Sequence, residues 1–306
     1  MKMKLTKLFA AGTVLALALA LAACGGSGDD SPEAVLTRAQ EAMEDITSMH
    51  YTLDMDIGMT AEGQSFDITS TGEADCITEP MMLDMDLNMS MAGLLDMDMK
   101  MYLTQGGDDY VVYTGIGDDE GGMTWTKETM SDLSALAQYN GQASMELYLE
   151  NGTDFQKVGT EEINGASATR YDGVITQESL EAVMDASGVM DQFSALGLEG
   201  MEDLYSEMGN LPVSIWIDDQ SDLPVKYEMD MTEMMQNMIN KLLASEEETA
   251  GMEMSIDRCT MVMVCSDFNS IDAIQIPQEA LDAPSSSEMA GDLLLDEENQ
   301  VLEDAG

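Results

Sequence analysis

Thiol and imidazole groups, which serve most readily as nucleophile and base, are few in this chain: it has four cysteines and a single histidine, His50. A hydrolase of the Ser-His-Asp or Cys-His type would have to be built around that histidine. His50 falls on the polar side of a predicted strand, and no G-x-S-x-G sequence is present to hold a nucleophile. Zinc sites need clustered ligands, which Cys259 and Cys265 with one distant histidine do not provide. We therefore expect no enzyme activity, no metal and no cofactor.

Carboxylates are the most abundant functional groups, and 60 Asp and Glu against 11 Lys and Arg give a net charge of −49. Asp84-x-Asp86-x-Asn88 has the spacing of an EF-hand start, but Met89 stands where that loop needs glycine. Strand alternation explains these acids better, because it projects them into water. Calcium binding by the loop 117–121 stays an alternative. A surface this negative repels phosphates, so we expect no nucleic-acid partner and no electrostatic docking on anionic lipids.

Three cysteines follow the N-terminal region. Cys259 and Cys265 differ by an even number, so they share one face of the last predicted strand and are too far apart to bridge each other. Cys76 could form a disulfide with one of them if their strands are neighbours, which suits an exported protein. The alternative is three buried thiols.

The N-terminus has the features of an export signal. Residues 1–23 combine a basic start with an apolar run of about 14 residues, too short to span a bilayer as a helix. The sequence Leu21-Ala22-Ala23-Cys24 resembles the lipobox of bacterial lipoproteins, in which the cysteine becomes the acylated N-terminus. The resemblance implies a lipid on Cys24, a flexible acidic tether over 24–31 and a location on the extracytoplasmic face of the cell membrane.

The period of the apolar residues predicts the elements of the mature chain. Ser31-Pro32 is typical of a helix start, and apolar spacings of 3 and 4 predict a helix over 32–46. From Met49 the period changes to 2, which predicts a long antiparallel meander with one apolar and one acidic face. Its strands are expected at 49–60, 64–77, 83–91, 95–103, 109–115 and 122–129.

The second half mixes helices with hairpins. Helical patterns occupy 131–150 and 176–208, and a last helix is expected at 233–244. The strands are expected at 155–162, 166–175, 212–218, 223–232 and 252–268. The segment 274–283 is expected to lie over the sheet and to complete a domain of residues 32–283. Residues 284–306, rich in acids and without bases, are predicted to form a mobile tail.

Four short motifs resemble the LolA-like superfamily, which includes the LppX and LprG lipoproteins and many Gram-positive lipoproteins. They are Trp125-Thr126-Lys127, Ile163-Asn164-Gly165 with Tyr171, Ile215-Trp216-Ile217-Asp218 with Leu223-Pro224-Val225-Lys226, and Ile276-Pro277-Gln278-Glu279-Ala280. The resemblance covers about residues 32–283. It implies an α+β fold, in which a curved antiparallel sheet forms a half-barrel with helices packed over its concave face. It also implies that Trp216 faces the core and that Asp218 opens a turn.

Methionine is the unusual component, with 31 methionines against 5 Phe, 9 Tyr and 2 Trp. Its unbranched, polarizable side chain forms surfaces that adapt to irregular partners. The alternative is a closed core that uses methionine where leucine would serve. We predict an apolar cavity lined by two adjacent strands. Its candidate residues are Leu83, Met85, Leu87 and Met89 on the first strand, and Leu95, Met97, Met99 and Met101 on the second.

Two functions follow from these observations. The first is a tethered, non-catalytic lipoprotein that binds a lipid or another hydrophobic ligand in the Met-rich cavity, as the resemblance implies, since the best-known members of the superfamily carry lipids. The second is a structural or sensory envelope protein with a closed core, which contacts a protein partner. The two differ in whether the concave face is filled by the protein's own side chains.

Overall fold

Two antiparallel meanders join edge to edge in a single curved, open sheet of eleven strands. The computed structural model describes residues 31–91, 95–107, 109–118, 121–130, 149–180, 208–245 and 253–285. The strands are β1 (Ser48–Ala61), β2 (Gln64–Thr78), β3 (Met81–Met91), β4 (Leu95–Gly106), β5 (Asp109–Gly117), β6 (Met123–Met130), β7 (Gly152–Ile163), β8 (Ala166–Ile175), β9 (Leu211–Asp218), β10 (Pro224–Asp230) and β11 (Met254–Ser266). The helices named here are α1 (Pro32–Glu44), α2 (Thr232–Ser245) and α3 (Gln278–Leu281).

The strand order is β6-β5-β4-β3-β2-β1-β11-β10-β9-β8-β7, so strands that are neighbours in space are also neighbours in sequence except at one junction. At that junction β1 pairs with β11, antiparallel, from His50 with Ser266 to Ala61 with Met254. The expected α+β class with a curved antiparallel sheet is confirmed. Period-2 patterning therefore located the strands of both meanders, with shifts of a few residues at their ends.

The main core lies on one face of the sheet, which we call the inner face. Helix α1 begins as predicted, because the Ala34 amide donates a hydrogen bond to Ser31 Oγ at 3.3 Å and proline occupies the first turn. Its apolar side chains, including Leu36 and Met43, are buried in one cluster with inner-face residues such as Met49. The expectation of a helix packed over the concave face is met by α1.

A second, smaller core covers the opposite, outer face of β4, β5 and β6. Tyr102 stacks on Trp125 with 5.8 Å between ring centroids, and Ile274 and Ala280 pack against this pair from the C-terminal segment. The Lys127 amide donates to the Pro284 carbonyl at 3.0 Å. The sequence predicts an acidic outer face for the whole first meander. Instead, the aromatic residues Tyr102 and Trp125 on this face are covered by the segment that contains α3.

The turn motifs of the second meander form as the sequence predicts. Asn164 and Gly165 take positive φ angles of 53° and 80° between β7 and β8. Asp218 opens the β9–β10 turn, because its Oδ1 accepts hydrogen bonds from the amides of Gln220 and Ser221 at 3.0 and 2.8 Å.

Trp216, expected to face the core, is buried but does not belong to the main core. Ile215 and Ile217 belong to the main core, so the residue between them points to the outer face. There Trp216 is only 1% exposed, because Lys226 and Arg170 on the neighbouring strands lie over its ring, at 4.0 and 4.9 Å from the centroid. Two long cationic side chains thus bury an aromatic ring outside the core.

Several predicted features lie outside the described residues. These are the export signal 1–23, Cys24 with most of the tether, most of the helical stretches 131–150 and 176–208, and the acidic tail beyond Ser285.

Candidate functional site

The predicted ligand-lining residues of β3 and β4 form one continuous patch. Direct pairing across the two strands joins Leu87 to Met99 and Met89 to Met97. The same register brings Met85 opposite Met101. All of these side chains therefore share the inner face, because directly opposed residues of an antiparallel pair point to the same side.

Burial divides this patch into two parts. At its lower end Leu83 and Met85 are each 2% exposed, and Met101 is 6% exposed, so these three belong to the main core. Leu87 is partly buried at the edge of that core. At the upper end Met97 is half-buried and Leu95 is 49% exposed. The eight predicted residues are thus brought together, but three of them are fully occupied by packing.

The exposed part extends onto strands that the sequence did not single out. Apolar side chains of β1, β2 and β5 continue it in register, and Ile116 at the far end is 47% exposed. We call this surface the upper inner face, and its members are half-buried or exposed and lie outside both core clusters. They are Met59, Phe66, Ile68, Met89, Met91, Leu95, Met97, Met99 and Ile116. The alternation of apolar and polar residues in β1 and β2 is the sequence signal from which their members of this surface could have been predicted.

The outer face of the same strands is polar. Lys100 Nζ lies 2.6 Å from Asp86 Oδ2 and 3.1 Å from Asp84 Oδ1. Burial alone would lower the pKa of Lys100, but its hydrogen bonds to Asp86 and Asp84 outweigh burial and raise that pKa. Burial raises the pKa of Asp84 in spite of this lysine. A shallow cavity of about 470 Å³ here is lined both by polar residues such as Glu73 and Asp98 and by the apolar residues Leu87, Met99 and Met123.

His50 and the cysteines occupy structural positions. His50 Nδ1 lies 2.8 Å from Asp75 Oδ1 on the outer face. Cys76, Cys259 and Cys265 are buried thiols that form no disulfide. The predicted disulfide fails because β1 separates Cys76 on β2 from the other two on β11. Burial raises the pKa of Cys76 to about 11 and also raises the pKa of Cys265. Neither thiol is therefore ionised at neutral pH.

The described residues also bear on metal binding and on membrane-spanning helices. No three His, Cys, Asp or Glu side chains converge there on a point that could hold a metal ion. The proposed calcium loop 117–121 is described only in part. Of the helices that the structure describes, none is both long and apolar enough to cross a bilayer.

Comparison with known proteins gives a family and a set of similar structures. No curated protein matches this chain. Among solved structures it is similar to the lipoprotein LppX of Mycobacterium tuberculosis, with 15% identity over 80% of this chain and 100% of that chain and a TM-score of 0.43. It is also similar to LprF from Mycobacterium bovis, with 12% identity over 81% and 98% of the two chains and a TM-score of 0.43. These belong to the group that the sequence motifs resemble. Residues 31–285 match a family described as a family of unknown function, DUF6612, and the chain belongs to this family.

Proposed function

We propose that this chain is a membrane-tethered extracytoplasmic lipoprotein that holds a lipid or another hydrophobic ligand on the upper inner face. The observation that carries the proposal is the burial gradient along β3 and β4. The same alternating pattern is closed core at Met85 and an open apolar surface at Met97. A contiguous exposed apolar patch on a strongly acidic protein is typical of a binding surface.

The chemistry of this surface suits acyl chains. Met89, Met91, Met97 and Met99 present flexible thioethers that adapt to a chain of irregular shape. Each methylene removed from water contributes about 0.8 kcal/mol, so affinity needs no covalent step and no charged partner. The acids of the two strands lie on the outer face, and the apolar surface is therefore uninterrupted by charge.

The membrane attachment in this proposal rests on the N-terminal sequence. Cys24 would carry the acyl chains, and the tether 24–31 would place the sheet close to the extracytoplasmic side of the membrane. A ligand that leaves the bilayer would then meet the upper inner face without a long diffusion through water.

The experiment is native mass spectrometry of the purified protein, followed by lipid extraction. We expect a bound species of lipid mass in the wild type. The double variant Met97→Gln, Met99→Gln should lose it, because amide groups make the surface polar. The matched control, Asp96→Asn with Asp98→Asn, alters the other face of the same strand and should retain it.

Two outcomes would contradict the proposal. One is a wild-type protein that carries no lipid and takes up no fluorescent fatty-acid probe. The other is equal loss of the bound species in both double variants. A protein of defined mass bound in place of lipid would favour the alternative, in which the same surface contacts a protein partner.

A further inference from the structure

We infer that the inner face holds a site for a soft monovalent metal ion, Cu(I) or its analogue Ag(I), built from sulfur atoms of β1, β10 and β11. The site lies beside the upper inner face and does not depend on the function proposed for it.

The register of three strands places five sulfur atoms in adjoining rows. In the first row Met55 pairs with Met261, and Met261 pairs with Met229. In the next row Cys259 pairs with Ile57 on one side. On its other side the Met231 amide donates to the Cys259 carbonyl at 2.8 Å, which extends the ladder by one residue past the end of β10.

Both rows point to the same side of the sheet. Residues 229, 231, 259 and 261 alternate with polar neighbours such as Asp230 and Thr260, and the partly buried Met231 and Met261 pack against the inner core. We call the set Met55, Met229, Met231, Cys259 and Met261 the sulfur grid. Ile57 is the one position of the two rows that lacks sulfur.

The sulfur atoms are within reach of one another. Adjacent strands are about 4.8 Å apart, so the outer methionines of a row stand about 10 Å apart with the third between them. The three rotatable bonds of each methionine allow the thioethers to converge above the central strand. Cys259 is fully buried and Met229 is buried in the main core, while Met55 and Met261 are half-buried and form the side of the set that solvent touches.

The donor set selects the class of ion. Thioether and thiolate ligands are soft and prefer Cu(I) among the metals that proteins bind. The thiolate carries one negative charge and the thioethers carry none, so the complex is neutral when the bound ion is monovalent. A divalent ion such as Zn²⁺ would leave one uncompensated charge in an apolar environment, which is costly. When the metal–sulfur bond forms, the Cys259 thiol loses its proton to solvent and the complex is neutral.

The test is a competition for Cu(I) between the purified full-length protein and the chromophoric chelator bicinchoninate, without oxygen. We expect the wild type to withdraw one equivalent of Cu(I). Cys259→Ser and Met261→Leu should each weaken Cu(I) binding by more than about 100-fold. Mutating a residue that only supports a metal ligand already costs about 10–100-fold in affinity, and removing the ligand itself should cost more. Zn²⁺ should not compete.

The controls separate coordination from packing. Cys76→Ser removes a buried thiol elsewhere, and Met97→Leu removes a thioether from the upper inner face, so both should bind Cu(I) as the wild type does. Replacing methionine by leucine nearly conserves side-chain volume. If Cys259→Ser does not fold, the double variant Met55→Leu, Met261→Leu tests instead whether the thioethers bind Cu(I). A wild type that leaves Cu(I) with the chelator, or controls that lose binding as the grid variants do, would overturn the inference.

Discussion

Two tryptophan substitutions on the same face of one hairpin should differ in their effect on stability. Met85 on β3 is 2% exposed and surrounded by the main core, whereas Met97 on β4 is half-buried and outside it. Enlarging a packed core residue costs about 1–3 kcal/mol, and a substitution at an open surface stays within about 0.5 kcal/mol. Met85→Trp should therefore destabilise the protein, and Met97→Trp should not.

The effect is measurable as a melting temperature. In a domain of this size 1 kcal/mol shifts Tm by about 2–4 °C, so Met85→Trp should lower Tm by about 2–12 °C. Met97→Trp should change Tm by no more than about 2 °C. In the same samples, Met97→Trp should lower the uptake of a fluorescent fatty-acid probe, because the indole ring fills the surface that the probe would occupy.

The Tm of Met97→Trp decides whether the upper inner face is open. If Met97→Trp lowers Tm as much as Met85→Trp does, the upper inner face is closed core and the burial gradient carries no functional meaning. If the wild type takes up no probe, the surface is open but does not bind acyl chains.

Three further predictions concern other parts of the chain. Cys24→Ser should abolish labelling by a radioactive fatty acid and leave the unprocessed precursor, and continued labelling would refute the anchor. The Arg258 guanidinium, hydrogen-bonded to Asp56, lowers the pKa of that carboxyl, so the contact stabilises the fold at neutral pH and is lost as the pH falls through the lowered value. Arg258→Met should raise the pKa of Asp56 in an NMR titration, and an unchanged value would show that the contact is absent in solution. Lys226→Met should lower the free energy of unfolding in urea by about 0.5–1 kcal/mol through loss of the contact with Trp216, and an unaltered urea midpoint would argue against that contribution.

The first meander could be predicted from sequence because its information is local. Alternation between apolar residues and acids fixed the faces of β3 and β4, and short turns forced neighbouring strands to pair. The pairing of β1 with β11 could not be predicted in the same way, since nothing in either pattern specifies a distant partner.

The candidate site shows where local patterns stop being informative. Met85 and Met97 have nearly the same neighbours in sequence, and they differ only because α1 and the rest of the core cover one end of the inner face. The face on which Trp216 lies could not be predicted, for a related reason. Apolar residues at 215, 216 and 217 fit either face, and the two cations that cover the ring come from other strands. The sulfur grid was missed because its rows are assembled by the β1–β11 and β10–β11 pairings.

The β1–β11 junction also determines the order in which the molecule can fold. The strands of the first meander are joined by short turns, whereas the second meander also contains the longer connections 176–210 and 231–253. Pairing within either meander still closes smaller loops than pairing between the two meanders, so it can come first. Joining them brings together strands from nearly opposite ends of the described chain, and this long loop closure has the largest entropic cost. The two halves would remain separate until β11 pairs with β1, and only then would the sulfur atom of Met55 on β1 join those of β10 and β11. The last hydrogen bonds to form would be those at the centre of the sheet, between its two halves.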